Sequence, residues 1–255
     1  MKVEDVITQF APISLAEMDQ VKLMNRTDRK YWFNKALLAP LLKALSEQYY
    51  VLEIDGQRCL PYVSTYYDTP EDQMYYEHHR GKLNRFKIRK RKYESSGISF
   101  LEVKFKNNKG RTIKTRIPAE YDNAAFDPKE ENFIAQNSPF DCHILHTAIS
   151  NRFKRITLVN KNMKERCTID QELTYHKGGK SVKLEELIIV EVKTEGHSAH
   201  SAMIEKLKEQ HILPSGFSKY CIGRSILEPN LKSNRFKTTH RQIEKKLHTS
   251  IHHFI

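Results

Sequence analysis

The sequence predicts an α+β fold in which a mostly sequential antiparallel sheet of about eight strands carries helices on its outside. Three observations predict it. Stretches rich in Tyr, Val, Ile and Phe alternate with charged residues at a period of two, turn residues punctuate them at short intervals, and a few leucine-rich or capped stretches follow helical spacing instead. At 255 residues, 39% hydrophobic and 29% charged, the chain has the apolar material for one substantial core and is too apolar for a disordered chain.

Ser14-Leu15-Ala16-Glu17 reads as a capping box and announces a short helix. A strand is expected from Asn25 to Phe33. Asn34 can then cap a second helix whose Leu37, Leu38, Leu41, Leu42 and Leu45 form a packing stripe, with Pro40 delaying its start or kinking it. Asp55-Gly56, Ser95-Ser96-Gly97 and Asn107 to Gly110 punctuate a series of antiparallel hairpins. A helical stretch is expected between Asp122 and Ser150. Strands resume at Arg152 to Asn160, Met163 to Gln171 and Leu187 to Thr194, with turns at Asn160-Lys161-Asn162 and His176 to Lys180. Residues 1–228 read as one domain, with its core at about 22–228, and 229–255 as a basic, His-rich tail with helical character.

Lys plus Arg number 43 against 31 Asp plus Glu, a formal charge of +12 that favours anionic partners. Cys59, Cys142, Cys167 and Cys221 form no CxxC pair, so neither a zinc-finger pattern nor a secreted disulfide framework is indicated, and reduced thiols in a cytoplasm fit best. No stretch approaches the ~18 apolar residues of a membrane span. The cations alternate on strands expected to face inward and no RNA-recognition or helix-turn-helix pattern occurs, which disfavours nucleic acid.

Arg85, Lys87, Arg89 and Arg91 fall at every second residue, so one strand face carries all four, ~6.5–7 Å apart. Glu102, Lys104 and Lys106 share a face of the next strand, and Lys114 and Arg116 a face of the third. A solvated sheet face would alternate in the same way. From Arg80 to Arg116, however, fourteen basic residues meet only Glu94 and Glu102, so cross-strand pairs are mostly like-charged. Unit charges ~7 Å apart repel by about 0.6 kcal/mol in water and about 2.4 kcal/mol at an effective dielectric of 20, so a concave site so lined calls for a polyvalent anion. Arg166 with Asp170, and Glu191 with Lys193, continue the pattern. Glu191 and Glu102 are candidate ligands for a hard divalent ion, or salt-bridge partners of neighbouring cations.

Arg29-Lys30-Tyr31-Trp32, Tyr66-Tyr67-Asp68-Thr69, Lys87 to Tyr93, Leu101-Glu102-Val103-Lys104, Glu191-Val192-Lys193 and Gly216 to Tyr220 together resemble, in order and spacing, the vacuolar transporter chaperone (VTC) domain. The resemblance implies a triphosphate tunnel metalloenzyme fold, an eight-stranded antiparallel tunnel with peripheral helices. It also implies transfer of the terminal phosphoryl group of ATP to polyphosphate with Mn2+ or Mg2+. By motif it makes Lys30, Arg89, Arg91, Lys104, Lys114, Arg155, Arg166 and Lys219 the phosphate-handling cations. Ser218 resembles a further phosphate contact and Glu191 the metal ligand, while Arg85, Lys87 and Lys193 of the alternating faces, with Arg80, are expected as further substrate contacts. Departures are Gly216 and Phe153, and a basic position after Tyr75-Tyr76 that His78, His79 or Arg80 could fill. A tripolyphosphatase or nucleoside triphosphatase, or a non-catalytic polyphosphate-binding module, would share these features. The expected form is a stand-alone soluble domain of bacterial type.

Overall fold

Alternating sequence becomes strand over most of each expected stretch, although Met163 and Lys164 still belong to the turn after Asn160 and His176 and Lys177 to a strand that ends at the glycine pair Gly178-Gly179. The computed structural model describes residues 1–19, 26–123, 125–196 and 200–247. In chain order the first strands are β1 (Ala11–Ile13), β2 (Arg26–Asn34), β3 (Tyr49–Leu52), β4 (Leu60–Asp68), β5 (Arg85–Tyr93), β6 (Ser99–Lys106) and β7 (Thr112–Pro118). The later ones are β8 (His146–Asn160), β9 (Glu165–Lys177), β10 (Lys180–Leu184) and β11 (Leu187–Glu195). Eight of them lie in the order β2-β11-β9-β8-β4-β5-β6-β7, every neighbouring pair antiparallel. β2 and β7 are the two ends of this curled sheet, and no pairing joins them among the described residues. The tunnel therefore has a seam. β10 extends β9, while β3 pairs with β8 and, in parallel, with β1.

Asn34 accepts a hydrogen bond from the Ala36 amide and starts a 3-10 turn, so the α-helix proper begins only at Leu38. Pro40 then sits in the first turn of that helix, where its missing N–H costs nothing. The helices are α1 (Val3–Ile7), α2 (Leu15–Asp19), α3 (Leu38–Lys43), α4 (Gln73–Arg80), α5 (Pro128–Asn137), α6 (Ala202–Glu209), α7 (Lys219–Leu227) and α8 (Lys237–Leu247). Glu17 accepts from the Ser14 amide at 2.9 Å, completing the box that opens α2. The helix expected between Asp122 and Ser150 is shorter than that span. It is opened by the Asp127/Glu130 capping box and stops at Asn137, because Ser138 is extended and Pro139 follows. From His146 the chain is already strand β8. Asn25, the expected start of the first strand, lies outside the described residues.

Three apolar clusters hold the sheet. α1, α3 and α6 cover the outer face of β2, β11, β9 and β8, burying Val6, Leu38, Leu41, Ile156, Cys167 and Val190. α5 covers the outer face of β5 and β6 through Phe133 and Ile134. The third cluster is inside the curl: α7 brings Tyr220, Cys221 and Ile226 against Tyr62, Ile149, Phe153 and Tyr175 of the inner face. Gly223 makes this seating possible, since a Cβ there would run into the Tyr175 ring and Ile149. Gly223→Ala is expected to destabilise the protein by about 1–3 kcal/mol through overpacking, measurable as a lower urea midpoint. Filling half the curl in this way leaves the remainder as the site.

Candidate active site

The run Arg85 to Tyr93 separates into two chemistries by parity. Even-numbered Lys90 and Lys92 project outward and each finds a carboxylate: Lys90 Nζ is 2.9 Å from Glu130 Oε2, and Lys92 Nζ is 3.0 Å from Asp122 Oδ2. Lys90, completely buried, also donates to the carbonyls of Glu120, Asn123 and Ala125 and so anchors the approach to α5. Odd-numbered Arg85, Lys87, Arg89 and Arg91 face inward. Among the described residues, Arg89 alone of these has a carboxylate partner within 4.0 Å.

Register carries the inward face across three strands. Lys87 lies opposite Lys104, and Lys104 opposite Lys114. One position along, Arg89 lies opposite Glu102, which lies opposite Arg116. Glu102 is fully buried and both of its oxygens are engaged: Arg89 Nε donates to Oε2 at 2.7 Å and Lys114 Nζ to Oε1 at 3.2 Å. Burial opposes its charge, but Arg89, Arg91, Lys104 and Lys114 outweigh burial and hold the carboxyl far below the usual carboxylate range. Among the described residues, the one hydrogen-bond partner of buried Arg91 is the Ser64 hydroxyl at 2.9 Å, and that of Lys87 is the Ser218 hydroxyl at 3.0 Å. Among the described residues the Lys104 ammonium has neither a hydrogen bond nor an ion pair. Burial first, then the field of Arg89, depresses its pKa well below the usual lysine value.

The other wall is built from β2, β11, β9 and β8. Lys30, Glu191, Thr168 and Thr157 follow one another across it in register. Glu191 Oε2 accepts from Lys193 Nζ at 2.6 Å, while its Oε1 stands 3.8 Å from Lys30 Nζ. Despite burial, Lys193 and Lys30 keep this carboxyl well below the usual range. Asp170 takes two bonds from Arg155, at 2.6 and 2.9 Å, and a third from Lys219 at the start of α7. The Phe153 ring lies beneath these cations, 5.2 Å from the Arg155 guanidinium carbon and 4.5 Å from Lys219 Nζ. The two walls face one another: Glu191 bears electrostatically on Lys104, and Arg155 on Arg91.

The sequence matches the VTC domain over residues 25–228. The chain belongs to that family. No curated protein matches it by sequence. Among solved structures it is similar to a proposed adenylyl cyclase from Hippeastrum described as having a dominant triphosphatase activity. Identity is 16% and the TM-score 0.53, over 79% of this chain and 96% of that one. A proposed adenylate cyclase from Vibrio parahaemolyticus is 13% identical with a TM-score of 0.46, over 80% of this chain and 99% of that one. The likeness to the first is one of fold: this VTC domain has the α+β triphosphate tunnel architecture.

The VTC domain thus brings Lys30, Arg89, Arg91, Lys104, Lys114, Arg155 and Lys219 to one interior, with Arg166 on the same face opposite Lys193. Ser218 caps α7 by accepting from the Cys221 amide and also receives Lys87. Arg85 is on the inner face but bends to donate to the Lys82 carbonyl at 2.6 Å. Arg80 stands apart. It is exposed, lies over the Tyr76 ring at 5.9 Å, and gives its carbonyl to Arg235. The basic tail is less solvated than its composition implies, since Lys246 Nζ bonds the Trp32 carbonyl and sits 4.2 Å above its ring.

Sequence reasoning noticed Asp170 on the basic face but gave it no role, although a carboxylate among inward cations is the signal for a clamp. Tyr66 reads as part of a motif, but its hydroxyl, which receives Arg89 Nη1 at 3.1 Å, is given no role there. Burial would raise that phenol, but Arg89 and Arg91 bring it down to about 8.

Proposed function

We propose that this VTC domain is a metal-dependent polyphosphate polymerase that moves the terminal phosphoryl group of ATP to the end of a polyphosphate chain. One observation carries the reading: outward lysines of β5 are matched by carboxylates, whereas inward Lys87, Arg91 and Lys104 are not. Arg91 is buried and Lys87 and Lys104 are half-buried, so cations without a paired carboxylate are costly there, and a polyvalent phosphate supplies what they lack. Family membership favours ATP as donor and polyphosphate as acceptor.

Positioning and charge neutralisation supply most of the catalysis in phosphoryl transfer. Arg89 is held rigid by Glu102 and Tyr66, and Arg155 and Lys219 by Asp170, so their remaining N–H groups are aimed before substrate arrives. Lys87, Arg91 and Lys104 then meet the phosphate oxygens. In the step itself the bond from the γ-phosphorus to the bridging oxygen breaks, a new P–O bond forms to the terminal oxygen of the chain, and ADP leaves. Both the terminal oxygen and the leaving group are anionic, so no proton need move.

The donor set suits a hard divalent ion. Glu191 is a carboxylate with a partly accessible side chain, and in register beside it Thr168 has a buried hydroxyl without a hydrogen-bond partner. Among the described residues the one group of three close His, Cys or acidic ligands is Glu131, Cys142 and His143, on α5 and the segment after it, outside the sheet. The interior therefore offers a single-carboxylate site of the kind Mg2+ or Mn2+ shares with substrate phosphates. When bound, such an ion neutralises charge on the phosphate oxygens. Glu102, with both oxygens taken, serves in this reading to position Arg89 and Lys114.

Labelled ATP incubated with each metal, with polymer separated from free phosphate, tests the proposal. Polymer and ADP are expected. Free phosphate without polymer would make water the acceptor and the protein a hydrolase.

A further inference from the structure

Near the inward cations of β5 stands a histidine that the mechanism does not use. His78 is in the last turn of α4, which packs on β5. Its Nδ1 is buried and has no hydrogen-bond partner, although burying a polar nitrogen without one is unfavourable. The charged groups around it are almost all positive. β5 contributes Arg85 and Lys87, β2 contributes Lys30, and β6 contributes Lys106. On its own helix His79 and Arg80 follow, and the one carboxylate, Glu77, is occupied by Lys82 at 2.7 Å. From the segment before α8, Phe236 places its ring 6.4 Å away, and Arg235 is turned to the Arg80 carbonyl. Burial first, then the fields of Lys87, Arg85, Lys30 and Lys106, push the imidazole down to about 2, so the ring is neutral at ordinary pH.

We propose that His78 is a proton-coupled phosphate contact: a phosphate chain entering between Lys87, Lys30 and Arg85 gives the ring an anionic neighbour, and His78 takes up a proton from solvent as the chain binds. This rests on reading the tunnel as a phosphate site. Burial still opposes protonation, but the anion cancels the field of the four cations and gives the imidazolium a negatively charged neighbour. The sign follows from linkage. A pKa raised in the bound state means that affinity is gained below that pKa and lost as pH rises through it. Of the three sequence candidates for a basic contact after Tyr75-Tyr76, His78 is the one whose field comes from inward-facing cations, whereas Arg80 is turned to the outside.

Calorimetric titration of inorganic tripolyphosphate, without metal, into wild type, His78→Gln and His78→Arg between about pH 5.5 and about pH 8 tests this. The ligand's own protonation cancels in the ratio of wild-type to variant affinity. That ratio, for His78→Gln, is expected to be near unity at the alkaline end and to grow by up to about tenfold per pH unit below the bound-state pKa. Buffers of unlike ionisation enthalpy should show more proton uptake by wild type than by His78→Gln. His78→Arg should bind as tightly as acid wild type throughout and so gain on wild type as pH rises. Ratios that stay constant with pH for both variants would overturn the inference and leave the tunnel reading intact. A wild-type protein that binds no tripolyphosphate at any pH would overturn both.

Discussion

Glu191→Gln is expected to lower metal-dependent turnover of ATP by roughly 10²–10³-fold while tripolyphosphate binding persists. Glu191 differs from Glu102 and Asp170 in what its oxygens do. Glu102 gives both oxygens to Arg89 and Lys114, and Asp170 gives both to Arg155 and Lys219. Glu191 has one oxygen on Lys193 and the other 3.8 Å from Lys30, too long for a hydrogen bond. Removing its charge also takes a counter-charge from Lys30 and Lys193, so metal-free affinity for a polyanion should hold or rise. Steady-state kinetics with Mg2+ and Mn2+, set beside titration of tripolyphosphate, separate the two effects. Unchanged turnover would move the metal role to Glu102, and Glu102→Gln would then be the variant to assay.

Asp170→Asn is expected to destabilise the fold by about 2–4 kcal/mol, because it leaves two mostly enclosed cations facing one neutral amide. Asp170 is 4% exposed and its partners come from different elements, Arg155 from β8 and Lys219 from α7. It therefore ties the plug helix to the wall. Burial works against the charged form, yet Arg155 and Lys219 prevail and depress the carboxyl below its ordinary value. A depressed carboxylate contributes stability above the unfolded-state pKa of about 4 and loses it as pH falls through the folded value. The gap between wild type and Asp170→Asn should accordingly be largest near neutrality and narrow in acid. Urea midpoints across that range measure it, and a gap independent of pH would contradict the account.

Alternation made the sheet legible, because a period of two in Arg85 to Arg91 and in Glu102 to Lys106 fixes which side chains share a face whatever the strands pair with. Which face is inside was not legible from one strand. It became so only from the excess of cations over acids across three strands. The acids that balance outward Lys90 and Lys92 are Glu130 and Asp122, distant in sequence and brought back by the loop and α5, so no local pattern foretold them. The same holds for Asp170 and Lys219, which meet only because Gly223 lets α7 enter the curl. The β8 strand was underestimated at its start since His146 to Ser150 has no clean period, its partners being set by a register shift between Tyr66 and Tyr67. α1 and β1 escaped notice because their burial depends on α3 and β3 rather than on any pattern of their own.

The central claim is that the inward cations, and not the basic surface, hold the phosphate chain. Calorimetric titration of tripolyphosphate into wild type, Lys104→Gln and Lys237→Gln tests it most directly, since Lys104 lies in the inward row and Lys237 is exposed at the start of α8. The account predicts saturable binding that Lys104→Gln weakens by about tenfold or more and Lys237→Gln leaves unchanged. Absence of binding, or a loss in Lys237→Gln with none in Lys104→Gln, would contradict it.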